Sequence, residues 1–222
     1  MKVYWFEQAQ ADVPAHNDWL SARELVHLSG LRFPKRHADW RLGRWTAKRA
    51  LVQWLNLPAH PLALADLDVH AAMDGAPEAF LAGQRAPVTI SLSHRAGLAV
   101  CAVAPAATAL GCDLEVIEPR SDSFAADYFA PEERQLVAQA RPSERARLLT
   151  LLWSAKESTL KALRAGLRLD TRCVIASPVD GHGIWHPLQV RQDSGRVFHG
   201  WWQSSDGIVR TLVADPPAPS PW

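Results

Sequence analysis

Cysteine is scarce in this chain, and its pattern is empty: Cys101, Cys112 and Cys173 are an odd number with no Cys-x-x-Cys pair among them. Each sits in an apolar run, so they read as buried free thiols of a reducing compartment rather than as a disulfide framework. A surplus of charge of one sign is also missing. With 24 Lys and Arg against 23 Asp and Glu, the formal net charge is +1, so nothing draws the whole molecule to nucleic acid or an acidic membrane. Any anion site must be local. Nor is there a long hydrophobic run at the N-terminus, where the apolar stretch 3–6 meets Glu7 after four residues. That is far short of a signal-peptide core or a membrane span, and a cytoplasmic protein is expected. What remains is an ordinary globular composition, 48% hydrophobic and 21% charged over 222 residues, enough for one domain or two small ones.

Along the chain, residues 3–6 suggest a short strand, and Asn17 or Asp18 can cap a helix ending near Ser29 and Gly30. A longer helix is expected over 35–56, with Ala38, Leu42, Trp45, Leu51, Val52 and Leu55 as apolar positions and Pro58 as its stop. The pattern then weakens, leaving 68–70 as a possible strand and Asp74-Gly75-Ala76-Pro77 as a turn. Residues 88–94 and 98–104 read as strands. The second pairs most simply with 110–116 as a hairpin around Pro105, which would leave His94 one strand from the acids of that segment.

Residues 119–128 look loop-like, and Ala130-Pro131-Glu132-Glu133 opens a helix that ends by Pro142. A long helix follows over 143–165, closed by Gly166, and three or four short strands fill 174–213. The order strand, helices, strands thus occurs twice without a detectable sequence repeat. It suggests an α+β fold of two halves, 1–105 and 106–215, and a frayed Pro-rich tail, 216–222.

Four clusters carry chemistry. In the long helix, Leu148, Leu152, Ala155, Ala162 and Leu163 form an apolar stripe, while Glu157 and Lys161 share a face away from Leu152. Such a pair is either an exposed ion pair or a presented polar site. In 110–116, Leu110, Cys112, Leu114 and Val116 alternate with Asp113 and Glu115, so both carboxylates leave one strand face together. They are either solvated on an edge strand or the donors of a hard-cation site. In the helix 32–49, Arg32, Lys35, Arg36, Arg41, Arg44, Lys48 and Arg49 stand against Asp39 alone. Arg41, Arg44 and Lys48 could stack along one side and grip phosphates beside Trp40 and Trp45, or simply be a solvated face. Ser91, Ser93 and His94 put hydrogen-bonding groups at a strand end, which suits a phosphate better than a metal.

Taken together, Gly111-Cys112-Asp113-Leu114-Glu115 and, some forty residues on, Trp153-Ser154-Ala155-Lys156-Glu157-Ser158-Thr159-Leu160-Lys161 resemble the paired signature of the 4'-phosphopantetheinyl transferases. The long branch named after the surfactin-activating enzyme is the nearest in pattern. Ile90-Ser91-Leu92-Ser93-His94 resembles its Ser-His strand end, and Arg41 falls where it keeps a phosphate-binding arginine. The resemblance implies a pseudo-dimer of two similar α+β halves with the active site at their interface. It also implies transfer of phosphopantetheine from coenzyme A to a serine of an apo acyl or peptidyl carrier protein of fatty-acid, polyketide or nonribosomal-peptide synthesis, releasing adenosine 3',5'-bisphosphate.

By the same resemblance, Asp113, Glu115 and Glu157 would hold Mg²⁺, and Asp113, Glu157 and Lys161 would be the catalytic set. Glu157 or a metal-bound water would take the serine proton and Lys161 would stabilise the departing phosphate. Coenzyme A would lie on Arg36, Arg41, Gly75, Ala76, Ser93, His94 and Lys161. Where the family often has Gly-Lys-Pro, this chain has Gly75-Ala76-Pro77, one cation fewer, with Arg36 or Arg85 as replacements. Phe124, Tyr128 and Phe129 are candidates for contacting the carrier. No membrane and no nucleic acid are implied as partners, and a monomer could supply both halves of the site. The alternative is a nucleic-acid-binding module using the basic helix 32–49, which would need salt-sensitive binding and not the acids.

Overall fold

The computed structural model describes residues 1–179 and 181–221, with every side chain among them except that of Leu167. Trp222, the end of the expected tail, lies outside the described residues. The chain divides into two compact units, residues 2–108 and 109–221.

The first unit opens with strand β1 (Tyr4–Ala9), then helices α1 (Ala22–Ser29), α2 (Pro34–Leu55) and α3 (Pro61–Ala65). Strands β2 (Leu67–Ala71), β3 (Pro77–Leu81), β4 (Gln84–Arg85), β5 (Val88–Arg95) and β6 (Leu98–Pro105) follow. They form two antiparallel sheets, β1-β6-β5 and β2-β3-β4. The core gathers Trp19, Leu28, Leu51, Leu67, Val69, Ile90 and Val103. The cap of α1 is Ser21, not Asn17 or Asp18. Its hydroxyl accepts from Glu24 N at 3.2 Å while Glu24 returns a carboxylate to Ser21 N at 3.0 Å, a reciprocal pair that a residue three or four positions earlier cannot make.

The second unit runs β7 (Ala109–Val116), α4 (Asp122–Tyr128), α5 (Pro131–Gln139), α6 (Pro142–Ala162), β8 (Val174–Pro178), β9 (His186–Gln192), β10 (Val197–Ser205) and β11 (Ile208–Asp215). Its five strands form one antiparallel sheet in the order β7-β11-β10-β9-β8. Leu149, Leu152, Ala155, Leu160, Val190, Phe198, Val209 and Val213 belong to its core.

Several expectations are corrected. β6 pairs with β1 and β5, whereas β7 pairs with β11, so the hairpin between β6 and β7 does not form. The nearest strand in sequence loses to the last one, which brings a full eight-residue register to β7. His94 and the acidic strand therefore belong to different sheets. Residues 122–128, expected in a loop, are helical, because the Ser121 hydroxyl accepts from Phe124 N and starts a turn. Arg164, at φ +54, takes the left-handed position after α6, ahead of Gly166. Part of the tail is held, where Trp201 Nε1 donates to Ala218 O at 3.1 Å. Cys101 and Cys112 are buried and none of the three cysteines is in a disulfide, but Cys173 is only half-buried.

Each unit is braced by the same device. In the first, Lys48 Nζ on α2 is 2.6 Å from Glu24 of α1, donates to Trp19 O and Leu64 O at 2.9 Å, and lies over the Trp19 ring. Glu24 also accepts from Val69 N of β2. In the second, Lys156 Nζ on α6 is 2.6 Å from Glu133 of α5, donates to Thr171 O and Val174 O, and lies over the Phe129 ring. Glu133 accepts from Ala176 N of β8 and from Ala130 N. Burial pulls both ammonium groups below their ordinary value, with the partner carboxylate opposing it, and pushes Glu133 up. Removing one member of such a pair strands the other. Lys156→Met is expected to cost about 3–5 kcal/mol of stability in chemical denaturation, and Lys48→Met a similar amount, whereas Lys35→Met, at an exposed pair with Asp39, should cost less than about 1 kcal/mol.

Candidate active site

The second unit concentrates the polar groups that the sequence singles out. Gly111, Asp113 and Glu115 alternate along β7, and α6 lies against the Gly111 position so closely that a Cβ there would stand 1.7 Å from Ser158 O. Only glycine permits that approach, and it brings the side chains of α6 within bonding reach of β7. Asp113 is 4% exposed, so the solvated-edge reading of the acids does not apply to it, even though β7 is the edge of the sheet.

Lys161 Nζ donates to Asp113 Oδ1 at 2.8 Å and to Cys112 O at 3.0 Å. The other carboxylate oxygen, Asp113 Oδ2, accepts from Ser154 Oγ at 2.9 Å. Glu115 Oε1 accepts from Trp153 Nε1 at 3.2 Å, and its second oxygen is 3.5 Å from Arg120 Nη2. Glu157, half-buried on the same helix, has its proton affinity raised by burial, then by repulsion from Asp113, against which Lys161 acts, and by Glu115. At Lys161 burial works most strongly against the charge, but Asp113, with Cys112 and Glu157, together outweigh it and hold the ammonium above its usual value. Asp113, Glu115, Glu157 and Lys161 thus form one electrostatic neighbourhood.

Three carboxylates are hard oxygen donors, the kind a divalent cation such as Mg²⁺ takes, and the repulsion felt by Glu157 is what such a cation would relieve. In chemistry the donor set fits. Among the described residues, no three Asp, Glu, His or Cys side chains are gathered as one ligand cluster; Lys161 and Arg120 stand beside the acids instead.

In the first unit, the expected nucleotide contacts are more dispersed. Arg36 is exposed in the first turn of α2. Arg41 donates through Nη2 to Pro14 O, and to Ala15 O and His16 O at 3.3 and 3.4 Å. Gly75, at φ +88, and Ala76 form the β2–β3 turn, where Ala76 N donates to Asp74 Oδ1 at 3.0 Å. Ser93 is half-buried and His94 exposed at the end of β5. Arg85 is held by Glu78 at 2.7 Å. The basic side of α2 is corrected in part: Lys48 is fully buried against Glu24, and Arg44 lies 3.8 Å from the same acid with its guanidinium over Trp40. A buried glutamate from α1 draws these charges inward, which the count of basic residues cannot reveal.

Phe129 is corrected as a carrier contact, because it is 1% exposed and sits in the core beneath Lys156. Phe124 and Tyr128 lie on α4 and pack edge-on to Trp153 at 5.3 and 5.1 Å, with Arg120 over the Phe124 ring. Sequence reading missed Arg120, Ser154, Ser158 and Thr211. The signal for Thr211 was present as a lone hydroxyl in the segment Ile208 to Ala214, apolar but for Arg210, where a buried polar group demands a partner. No helix among the described residues is long and apolar enough to cross a membrane.

Comparison with known proteins bears on this unit. Residues 109–203 match the family model of the 4'-phosphopantetheinyl transferase superfamily. No curated protein matches the chain. Among solved structures, the holo-[acyl-carrier-protein] synthase of Thermotoga maritima is similar at 24% identity and a TM-score of 0.37, covering 47% of this chain and 61% of that one. The chain therefore spans about three fifths of the length of that synthase, and the segment matching the superfamily holds Asp113, Glu115, Glu157 and Lys161 together.

Proposed function

We propose that the protein is a transferase that moves the 4'-phosphopantetheine arm of coenzyme A onto a serine of an apo acyl or peptidyl carrier protein. The observation that carries the reading is the grouping of Asp113, Glu115, Glu157 and Lys161 inside the one segment that matches the superfamily. In the reaction, the carrier serine oxygen attacks the phosphorus bearing the pantetheine. The bond from that phosphorus to the bridging oxygen breaks, and adenosine 3',5'-bisphosphate leaves with the electron pair. Glu157 accepts the serine proton, a role suited to a carboxylate whose proton affinity burial and Asp113 raise. Lys161 remains charged beside Asp113 and, 29% exposed, can meet the negative charge of the leaving group.

Asp113, Glu115 and Glu157 are the residues that would hold Mg²⁺. When bound, the ion supplies charge neutralisation at the pyrophosphate. Arg36, Arg41, Gly75, Ala76, Ser93 and His94 of the first unit are assigned to the nucleotide, Arg41 through exchange of its carbonyl partners for phosphate. Phe124 and Tyr128 are assigned to the carrier. The surfactin-activating branch is favoured by the matching Lys–Glu brace in each unit, which suits two halves built on one plan. The nucleic-acid reading loses Lys48 to the interior and Arg44 to the side of Glu24.

Three outcomes test the proposal. Intact-mass spectrometry of an apo carrier incubated with the protein, coenzyme A and Mg²⁺ should show the gain of one phosphopantetheine, abolished in Glu157→Gln. Salt-sensitive binding of DNA without any gain would support the nucleic-acid reading. Phe124→Ala should raise KM for the carrier about tenfold and leave that for coenzyme A unchanged, as expected for an interface anchor; KM values unchanged for both substrates would remove α4 from the docking surface.

The third outcome concerns pH. Because the folded state holds the Glu157 proton more tightly than the unfolded state, ionisation of Glu157 destabilises the metal-free protein as pH rises above its unfolded value. In chelator, Glu157→Gln should therefore melt higher than the wild type at pH 7.5, with the gap closing at about pH 4, near the ordinary carboxylate pKa. A gap that does not change with pH would contradict the electrostatic account of Glu157.

A further inference from the structure

Beneath the acids lies a buried hydroxyl cluster that the mechanism does not use, made of Ser154 and Ser158 from the signature and Thr211 from outside it. Thr211 stands opposite Asp113 in the β7–β11 register, so the two side chains leave the sheet on the same face, toward α6. Its Oγ1 is 2.9 Å from Ser154 Oγ, 2.6 Å from Ser158 Oγ and 2.9 Å from Ser154 O. Ser154, Ser158 and Thr211 are each 0% exposed.

We propose that Thr211 is a positioning residue for Asp113, acting through Ser154 as the middle of a one-way hydroxyl chain that fixes the orientation of that carboxylate. The direction follows from proton counting. A carboxylate oxygen only accepts, so the single proton of Ser154 Oγ is committed to Asp113 Oδ2. The proton between the Thr211 and Ser154 hydroxyls can then come only from Thr211, which also has Ser154 O in reach, while Ser158 Oγ meets both Thr211 Oγ1 and, at 3.3 Å, Thr211 O. Ser154 Oγ is thus left with one role toward each neighbour, donor to Asp113 Oδ2 and acceptor from Thr211, which gives Asp113 Oδ2 a fixed donor direction. With Oδ2 fixed, Oδ1 faces Lys161. Thr211 lies on β11, outside the segment that matches the superfamily, so the orientation of a central acid depends on a strand that the signature does not include.

The kinetic part of this inference rests on the transferase reading; the coupling among the three residues does not. The experiment compares the wild type, Thr211→Val, Thr211→Ser, Ser154→Ala and the double variant Ser154→Ala/Thr211→Val, in steady-state transfer and in chemical denaturation. Valine keeps the shape and removes the hydroxyl. It should lower kcat about tenfold through misorientation while KM for coenzyme A stays within about twofold, the signature of an interaction realised in the transition state. Serine, which restores the hydroxyl, should recover most of kcat.

The double variant should lose no more kcat than Ser154→Ala alone, and its unfolding free energy should be less than additive. A valine variant with wild-type kcat, a loss that serine does not repair, or multiplicative losses in the double variant would each overturn the proposal. If Thr211→Val does not fold, Ser154→Ala with Thr211→Ser carries the comparison. If the wild type transfers nothing to any carrier, the transferase reading fails by itself; additive unfolding energies would then overturn the chain, and non-additive ones sustain it.

Discussion

Contact between α6 and the edge strand β7 at Gly111 governs the rest of the second unit. A helix packed on a sheet at the usual separation leaves side chains between them, and a carboxylate on the strand then meets aliphatic groups. Here the helix backbone touches the strand where no Cβ intervenes. The polar residues of α6, Ser154, Ser158 and Lys161, sit at spacings of four and three and descend on the same side onto Asp113 and Thr211. Apolar residues occupy most of the remaining circumference, so α6 is buried nearly all round rather than amphipathic in the usual sense. The helix is at once the core element of its unit and the carrier of its chemistry.

Such a helix needs its depth and rotation set by something stiffer than packing alone, and the Lys156–Glu133 brace meets that need. Lys156 precedes Glu157 by one position and is tied to carbonyls on either side of the turn into β8, while Glu133 ties the start of α5 to the same strand. The ammonium and carboxylate offset each other's desolvation only because backbone groups complete their hydrogen bonding. The recurrence of this arrangement around Lys48 and Glu24 explains why α2 exposes fewer cations than its sequence counts. One basic residue of that helix is structural, as Lys156 is in α6.

What the sequence made legible was the chemistry carried by adjacent residues. Asp113 with Glu115, and Glu157 with Lys161, stand at local spacings that place them on shared faces, and the structure brings these four together. The strand–helix–strand order of both units was readable for the same reason, since hydrophobic period is a local property. Pairing between distant segments was not. β7 chooses β11 over the neighbouring β6 through a register between residues 92 to 106 positions apart, and no residue near the turn at Pro105 encodes that choice. The inward turn of Lys48, the fate of Phe129 and the partnership of Thr211 with Asp113 are likewise products of tertiary contact. The α4 helix was missed for a smaller reason: Ser121 as a cap was hidden by the polar and small residues around it.

The placement of the acids carries an energetic tension that bears on how the site acts. Three carboxylates share a partly buried region with the ammonium of Lys161 and the guanidinium of Arg120. Glu157 bears the consequence, because Asp113 is fixed by two donors and Glu115 by Trp153, leaving the helix glutamate to absorb the repulsion as a higher proton affinity. A structure selected only for stability would replace one of the three. Retaining them leaves electrostatic free energy that a bound cation, or a proton taken from a hydroxyl, can release, and that release is available only when the ligand arrives. The rigid frame of α6, β7 and β11 keeps the acids from relaxing apart beforehand. The hydroxyls beneath Asp113 and the brace beside Glu157 are therefore as much a part of the site's chemistry as the carboxylates they hold.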